Sequence, residues 1–437
     1  MEVSRQLVHI GVGAFALLLR DLTWPQAVAL ASIAILFNAF VLPSLAPGVF
    51  RDTDRGRRWT SGIVLYPVAV LTLLLAFPAR LDLVATTWAI LAAGDGMATL
   101  VGAHVRTRAL PWNREKSVGG LVAFIVFGSA AAAGITWWSA SSAPDGWLFV
   151  APIAAAVLAG FAETTPITLD DNITVPAVAS VVLWSMSDMT PEALRDHMAA
   201  HGPATVALVT LNVAVAAAGW AARTVTVTGA VTGACIGAVM ILGSGVAGWT
   251  MLIATFVAAS FATRVGHGRK VRAGIAEDRG GRRGPGNAIA NTGVAAWAAF
   301  IAAGSANPAL AHLALVAALA TAGSDTVASE VGKAWGRTTW LLTSLKRVAP
   351  GTTGAISLEG TVAGILSSAL LAGIGAWAGL ISASAVLPVI VAANAASIVE
   401  GVIGATMEAR GMLTNDVVNF VNSAMGAGVA MLIWSSL

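Results

Sequence analysis

The sequence predicts an all-α polytopic integral membrane protein, and three observations carry that expectation. Only 11% of the 437 residues are charged, whereas 57% are hydrophobic; soluble domains carry roughly 25% charged residues. Mean hydropathy is +0.79. Apolar runs long enough to cross a bilayer recur from one end of the chain to the other. A soluble globular fold cannot hide that much apolar surface, and a disordered chain is excluded more firmly still. The single cysteine, Cys235, excludes internal disulfides.

A span needs about 20 mostly apolar residues, and reading the runs between polar breaks predicts about fifteen transmembrane helices, in a range of about 13–15. In order they are 7–20, 24–42, 60–78, 82–102, 118–138, 146–162, 173–187, 203–221, 227–242, 245–262, 288–304, 308–321, 357–381, 384–407 and 417–435. The basic breaks are Arg51 to Arg58, His104 to Lys116, Arg264 to Arg283 and Lys333 to Arg347. An even number of spans separates every pair of them, so the positive-inside rule assigns them all to the cytoplasm, together with the N-terminus. The opposite face receives short neutral turns such as Ser139 to Gly146, and one amphipathic stretch from Ser187 to His201. Of 25 basic residues only four are lysines. That arginine bias and the alanine content suggest a GC-rich prokaryotic genome, hence a prokaryotic cytoplasmic membrane with active sites facing the cytoplasm. No cleavable signal peptide is expected.

A pattern repeats. Asp95-Gly-Met-Ala98-Thr99 is followed by Gly102 and then Ser117-Val-Gly-Gly120; Asp325-Thr-Val-Ala328-Ser329 is followed by Gly332 and then Ser357-Leu-Glu-Gly360. Upstream, Arg5 and His9 correspond to Asn287 and Asn291; downstream, Glu163 with Asp170 and Asp171 corresponds to Glu400 with Asn415 and Asp416. The shared order predicts two parallel repeat-like modules, 1–195 and 200–437, against the alternative of chance similarity in an Ala/Gly-rich chain.

Asp95 lies within or at the end of an apolar run, where an ionisable residue is costly and is a functional candidate by default; the alternative is a carboxylate satisfied by an arginine of the bundle. Arg106, Arg108, Arg114 and Lys116 follow it and offer charge-assisted contacts to phosphate. Glu163, Asp170 and Asp171 complete a candidate Mg²⁺ site, because Mg²⁺ takes carboxylate and phosphate oxygens. In the second module the loop from Arg264 through Lys270, Arg279, Arg282 and Arg283 to Asn287 is basic and glycine-rich. A topogenic or lipid-binding loop accounts for the charge; phosphate binding also accounts for the glycines and for Asn287 and Asn291. Asp325, Glu330, Glu400 and Asp416 are the matching acidic candidates. Acidic beside basic residues on one face fit a nucleotide triphosphate with Mg²⁺, and no nucleic-acid partner is expected. Gly243-Ser-Gly245-Val-Ala-Gly248 matches a dinucleotide fingerprint but lies in a turn between two apolar runs. Gly229, Gly233 and Gly237 predict a small-residue helix contact.

Module one resembles the phytol kinase and dolichol kinase family of CTP-dependent membrane kinases. Arg5-Gln-Leu-Val-His9, Gly94-Asp95-Gly-Met-Ala98, Pro111-Trp-Asn113-Arg-Glu-Lys116-Ser117 and Asp170-Asp171-Asn172 carry the resemblance. Module two resembles the phytyl-phosphate kinase family, through Gly284-Pro-Gly-Asn287, Asn291, Ser324-Asp325, Ser329-Glu330, Gly332-Lys333, Gly351-Thr-Thr-Gly354, Glu400 and Leu413-Thr-Asn415-Asp416. The resemblance implies phosphorylation of a prenyl alcohol (phytol, geranylgeraniol or farnesol) to the monophosphate and then to the diphosphate, with CTP as donor. It also adds Arg5, Asn113, Ser117 and Lys333 to the nucleotide- and phosphate-binding residues, and implies Asp95 and Asp325 as catalytic. Two other classes stay open: a cytidylyltransferase making a CDP-lipid, and a lipid transporter or flippase. The one-sided placement of the polar residues speaks against transport.

Overall fold

The structure, a computed structural model, describes residues 2–45, 62–105, 107–140, 145–276 and 281–437. Arg51 to Arg58, Arg106, Arg279 and the middle of the Ser139 to Gly146 turn lie outside the described residues. The chain divides into two compact units, Met1–Ser187 and Asp188–Leu437.

The first unit contains α1 (Glu2–Gly13), α2 (Trp24–Leu36), the single turn α3 (Leu42–Leu45), α4 (Gly62–Ala76), α5 (Leu81–Ala89), α6 (Gly96–His104), α7 (Val118–Ser139), α8 (Val150–Glu163) and α9 (Asp171–Met186). A π-helical turn, Ile90–Asp95, joins α5 to α6 into one span. The second unit contains α10 (Pro191–Ala199), α11 (Pro203–Ala221), α12 (Val227–Arg264), α13 (His267–Arg272), α14 (Pro285–Gly304) and α15 (Ala309–Trp335), then β1 (Thr339–Leu341), β2 (Lys346–Val348) and β3 (Ala355–Ser357), and finally α16 (Leu358–Trp377), α17 (Val386–Ile403) and α18 (Asn415–Ser435).

The protein is a polytopic all-α membrane protein. Among the described residues ten helices are long and apolar enough to cross a bilayer. That is fewer than the sequence predicts, because α1, α4 and α9 are short, α14 is less apolar, and α12 counts once although Gly245 breaks it. At Gly245 φ is 61°, a left-handed conformation that glycine adopts without a Cβ clash. A Cβ on Gly248 would meet the Met240 carbonyl at 3.1 Å, so the two arms fold back on each other. The glycine-rich fingerprint is therefore a helix-to-helix turn. The run 308–321 is also longer than expected: α15 continues to Trp335 and carries Asp325, Glu330 and Lys333 within the helix. A three-stranded antiparallel sheet, in the order β2-β1-β3, stands where the sequence suggested only a basic break.

Each unit is built around the helix that bears its aspartate. The α5–α6 span and α15 are the two most buried of the ten, and every residue from Leu313 to Ser324 is buried. Alanine and glycine dominate these helices, and their small side chains let neighbours approach closely.

One local arrangement occurs in both units. Ser117 caps α7 by accepting the Gly120 N–H at 3.1 Å, and Ser357 caps α16 by accepting the Gly360 N–H at 3.1 Å. A Cβ on Gly120 would meet the Ala98 carbonyl at 3.2 Å, and one on Gly360 would meet the Ala328 carbonyl at 2.6 Å. Ala109 bridges Ser117 antiparallel, and Thr339, at the same offset from its aspartate, bridges Ser357. The helix Asp-x-x-Ala thus crosses the helix Ser-x-x-Gly in the same way twice. Between bridge residue and cap the second unit inserts the β1–β2 hairpin.

Gly354 fixes the end of this insertion. Its φ is +74°, and it packs on the backbone of Gly401 and Ala405, at the C-terminal end of α17. Gly354→Ala combines left-handed strain with a backbone clash and is expected to cost about 1–3 kcal/mol, read as a lowered unfolding temperature in detergent.

Candidate functional site

In the first unit the motif Pro111-Trp-Asn113-x-x-Lys116 acts as an anchored arm. Trp112 Nε1 donates to Thr164 Oγ1 at 3.2 Å and Asn113 Nδ2 donates to the Thr164 carbonyl at 3.1 Å. Asn113 Oδ1 accepts the Glu115 N–H at 3.0 Å and closes the turn. These bonds tie the loop to the end of α8 and bring Lys116 onto Glu163, the residue before Thr164. Asn113, expected among the phosphate-binding residues, uses its amide to place Lys116.

Lys116 Nζ bonds Glu163 Oε1 and lies 3.3 Å from Asp171 Oδ2. Asp95, Glu163 and Asp171 each offer an oxygen, and these atoms lie within 4.8 Å of one another. Asp95 comes from the π-helical turn, Glu163 from the end of α8 and Asp171 from the start of α9, whose N-cap Asp170 accepts the Asn172 N–H. His9 Nε2 lies 3.4 Å from Asp95 Oδ2. Burial disfavours the Lys116 charge, but Asp171 and Glu163 outweigh that and hold the ammonium above the usual lysine range. Three carboxyl groups stand around one ammonium, which reaches Glu163 and Asp171. Hard carboxylate oxygens converging at this spacing suit Mg²⁺. Of the other expected residues, Arg5 stands one turn before His9 on α1, Arg114 is exposed, and Ser117 is the α7 cap.

The second unit distributes its charges differently. Lys270 is 1% exposed and donates to the Ala262 carbonyl at 3.3 Å, to the Thr263 carbonyl at 2.7 Å and to Glu330 Oε2. All three N–H donors are taken, so Lys270 joins α13 to α12 and α15 and has no donor left for phosphate. Glu330 also receives Lys333 at 3.0 Å; bound by two lysines, it is a structural counter-ion. Lys270, expected as a phosphate clamp, and Glu330, expected as a metal ligand, meet in this buried triad, where an unpaired charge would be costly.

Asp325, one turn before Ser329 on α15, has Lys333 and Glu408 as charged neighbours, and Glu400 has Asp325 and Glu408. Glu408 is a member of this group that the sequence reading missed; it ends the π-helical turn Gly404–Glu408 and accepts from Asn415 Nδ2 at 3.4 Å. Its signal was an acidic residue just beyond an apolar run. Asp416 lies against Gly286 at the start of α14. Among the described residues the only acidic triad with oxygens this close is that of the first unit. Arg283 is pinned by its backbone to Thr224 and Thr226, Arg282 is exposed, and Asn291 donates to the Asn287 carbonyl at 2.8 Å.

Comparison with known proteins places these sites in context. Residues 210–427 match DUF92, a family of integral membrane proteins. Chloroplastic protein VTE6 of Arabidopsis thaliana is 40% identical over 196 residues, 43% of this chain and 59% of its own. An uncharacterized membrane protein of Synechocystis sp. is 42% identical over 199 residues, 45% of this chain and 77% of its own. A probable chloroplastic phytol kinase of Glycine max, phytol kinase 3, is 27% identical over 193 residues, 40% of this chain and 60% of its own. The chain thus spans about three fifths of the length of the two plant relatives. No solved structure matches.

The lysine-centred cluster makes a stability prediction. Lys116→Met leaves the 4%-exposed Glu163 without its partner and is expected to cost about 3–5 kcal/mol. Adding Glu163→Gln removes the stranded charge and should recover most of the loss, as unfolding temperatures of the two variants in detergent will show.

Proposed function

Because the chain belongs, through residues 210–427, to the DUF92 family of integral membrane proteins, we propose that it is a prenol and prenyl-phosphate kinase of the bilayer. The first unit phosphorylates a prenyl alcohol such as phytol, geranylgeraniol or farnesol, and the second converts the monophosphate to the diphosphate. The donor is a nucleotide triphosphate, CTP by the family resemblance. The observation that carries this reading is the cluster of Asp95, Glu163, Asp171 and Lys116, set beside a second aspartate-bearing helix crossing of the same construction. The relative named as a phytol kinase supports the substrate class.

In the first unit the substrate oxygen attacks the terminal phosphorus, the bond from that phosphorus to the bridging oxygen breaks, and the nucleoside diphosphate leaves. The hydroxyl proton passes to Asp95, which orients the attacking oxygen. Lys116 neutralises charge on the transferred group. Glu163 and Asp171 would hold Mg²⁺ with Asp95, and the ion would screen the donor phosphates. Catalysis of this kind rests on positioning and charge neutralisation. In the second unit Asp325, Glu400 and Glu408 take the acidic part, and the attacking oxygen belongs to the prenyl phosphate. The basic breaks orient both sites toward the cytoplasm.

Incubating the purified chain with radiolabelled geranylgeraniol, CTP and Mg²⁺ tests the reading. Asp95→Asn should lower monophosphate formation by roughly 10²–10⁴-fold while supplied monophosphate still becomes diphosphate. Asp325→Asn should do the reverse and let monophosphate accumulate. An Asp325→Asn protein that still makes diphosphate overturns the assignment of the second unit, and release of pyrophosphate in place of CDP identifies a cytidylyltransferase. Chelation of Mg²⁺ should stop both steps and its return should restore them.

A further inference from the structure

The kinase chemistry above does not use the β1–β2 hairpin, whose position is fixed at both ends of β1. Thr339, the first residue of β1, pairs with Ser357, the cap of α16. Just beyond the other end, the Leu342 side chain would stand 3.2 Å from a Cβ on Gly401, in the last turn of α17. β1 therefore runs across the bundle from the start of α16 to the end of α17.

Both helices are apolar enough to span a bilayer, and both show an exposed apolar stripe that reaches the sheet. On α16 the stripe is Leu358, Val362, Ile365 and Leu366, at the spacing of one helix face, and Leu358 directly follows Ser357. On α17 it includes Ile398, Val399 and Val402, and Val402 directly follows Gly401. In a membrane protein such stripes face lipid. The sheet thus lies beside the outer ends of two lipid-facing stripes, at the level of the headgroups.

The composition of the hairpin suits that level. Side chains alternate along a strand, and residues directly opposite in an antiparallel pair share a face. Thr339 is buried, whereas Trp340 and its partner Arg347 look outward, and the Arg347 guanidinium lies 5.0 Å from the centre of the Trp340 ring. A second pair of this kind, Arg269 on Trp335, stands where α15 ends. Arg337, Lys346 and Arg347 are exposed, and among the described residues none of the three is in an ion pair. At the tip the Leu345 N–H donates to the Leu341 carbonyl at 2.8 Å, and the Leu345 side chain is left 71% exposed. Tryptophan favours the headgroup layer, and basic residues there attract anionic lipid.

We propose that this hairpin is a docking surface for an anionic leaflet. Arg337, Lys346 and Arg347 contact lipid phosphates, Trp340 sits among the headgroups, and Leu345 rests against the acyl chains beneath them. A zwitterionic surface offers the apolar contacts alone; the three exposed cations are what select negative lipid.

The test reads the tip of the hairpin. The full chain carrying Cys235→Ser and Leu345→Cys is labelled with bimane, which stands in for the leucine side chain, and placed in nanodiscs of phosphatidylcholine alone or mixed with phosphatidylglycerol. In the mixed bilayer the label should be shielded from acrylamide and quenched by brominated acyl chains, and high salt should release it. Lys346→Gln and Arg347→Gln should each lower the ratio of docked to free label roughly fivefold, the effect of one basic residue at such a surface. Arg347→Lys, which keeps the charge, should behave like the parent. These side chains are exposed, so the variants should fold, and unchanged unfolding temperatures in detergent check that. Equal shielding in phosphatidylcholine alone, shielding that survives the loss of both charges, or a label that stays open to acrylamide in the mixed bilayer overturns the proposal.

Discussion

In each unit a helix carrying an aspartate crosses a helix that begins with a serine, and the contact closes because glycine lies on both sides of it. Gly102 and Gly120 make the first crossing, Gly332 and Gly360 the second. A methyl group at either partner would meet a serine hydroxyl or a carbonyl of the other helix. The close approach also satisfies the helix start, since the same serine accepts the N–H three residues on. In hydrocarbon, where van der Waals packing and internal hydrogen bonds hold helices together, that combination is what positions a carboxylate reproducibly. The loops then hang from the crossing: the antiparallel bridge to Ser117 or Ser357 sets where each basic segment leaves the bundle.

From that frame the two units diverge in how they treat cations. The first sends one lysine on a short arm, pinned by Trp112 and Asn113, into three carboxylates. The second lengthens the arm by a β-hairpin and commits its lysines elsewhere, with Lys270 and Lys333 both on Glu330. Removing a charge from water is expensive unless a partner and further hydrogen bonds compensate it. The Lys270 triad meets that condition fully, which makes it a brace between helices. The Lys116 cluster meets it incompletely, because the one ammonium reaches Glu163 and Asp171 of the three carboxyl groups.

Much of this was legible in the sequence because hydrocarbon is an unforgiving solvent. Scarce charges made Asp95 and Asp325 conspicuous, and the order of Asp, Gly and Ser around them was readable without any structure. The positions of α7, α16 and the Gly245 turn followed from apolar runs and glycine alone. What the sequence could not convey was partnership. Lys270 and Lys116 look equivalent as basic residues near glycines, yet one has every donor occupied and the other bridges two carboxylates. Glu330 looks like a metal ligand until two lysines close on it, and Glu408 looks like a loop residue until the π-helical turn draws it toward Asp325 and Glu400. Pairings across 47 or 60 residues depend on helix packing, and single-chain periodicity carries no record of them.

The same distinction between contact and space applies to the glycines of α12. Four-residue spacing marks a face where helices approach, but it does not say whether the face is filled. Gly229 and Gly237 are filled, by a backbone and by a buried asparagine, and Gly233 between them is not. Glycine in a helix interior costs about 1 kcal/mol relative to alanine, and at Gly229 and Gly237 the close approach of a neighbour offsets that cost.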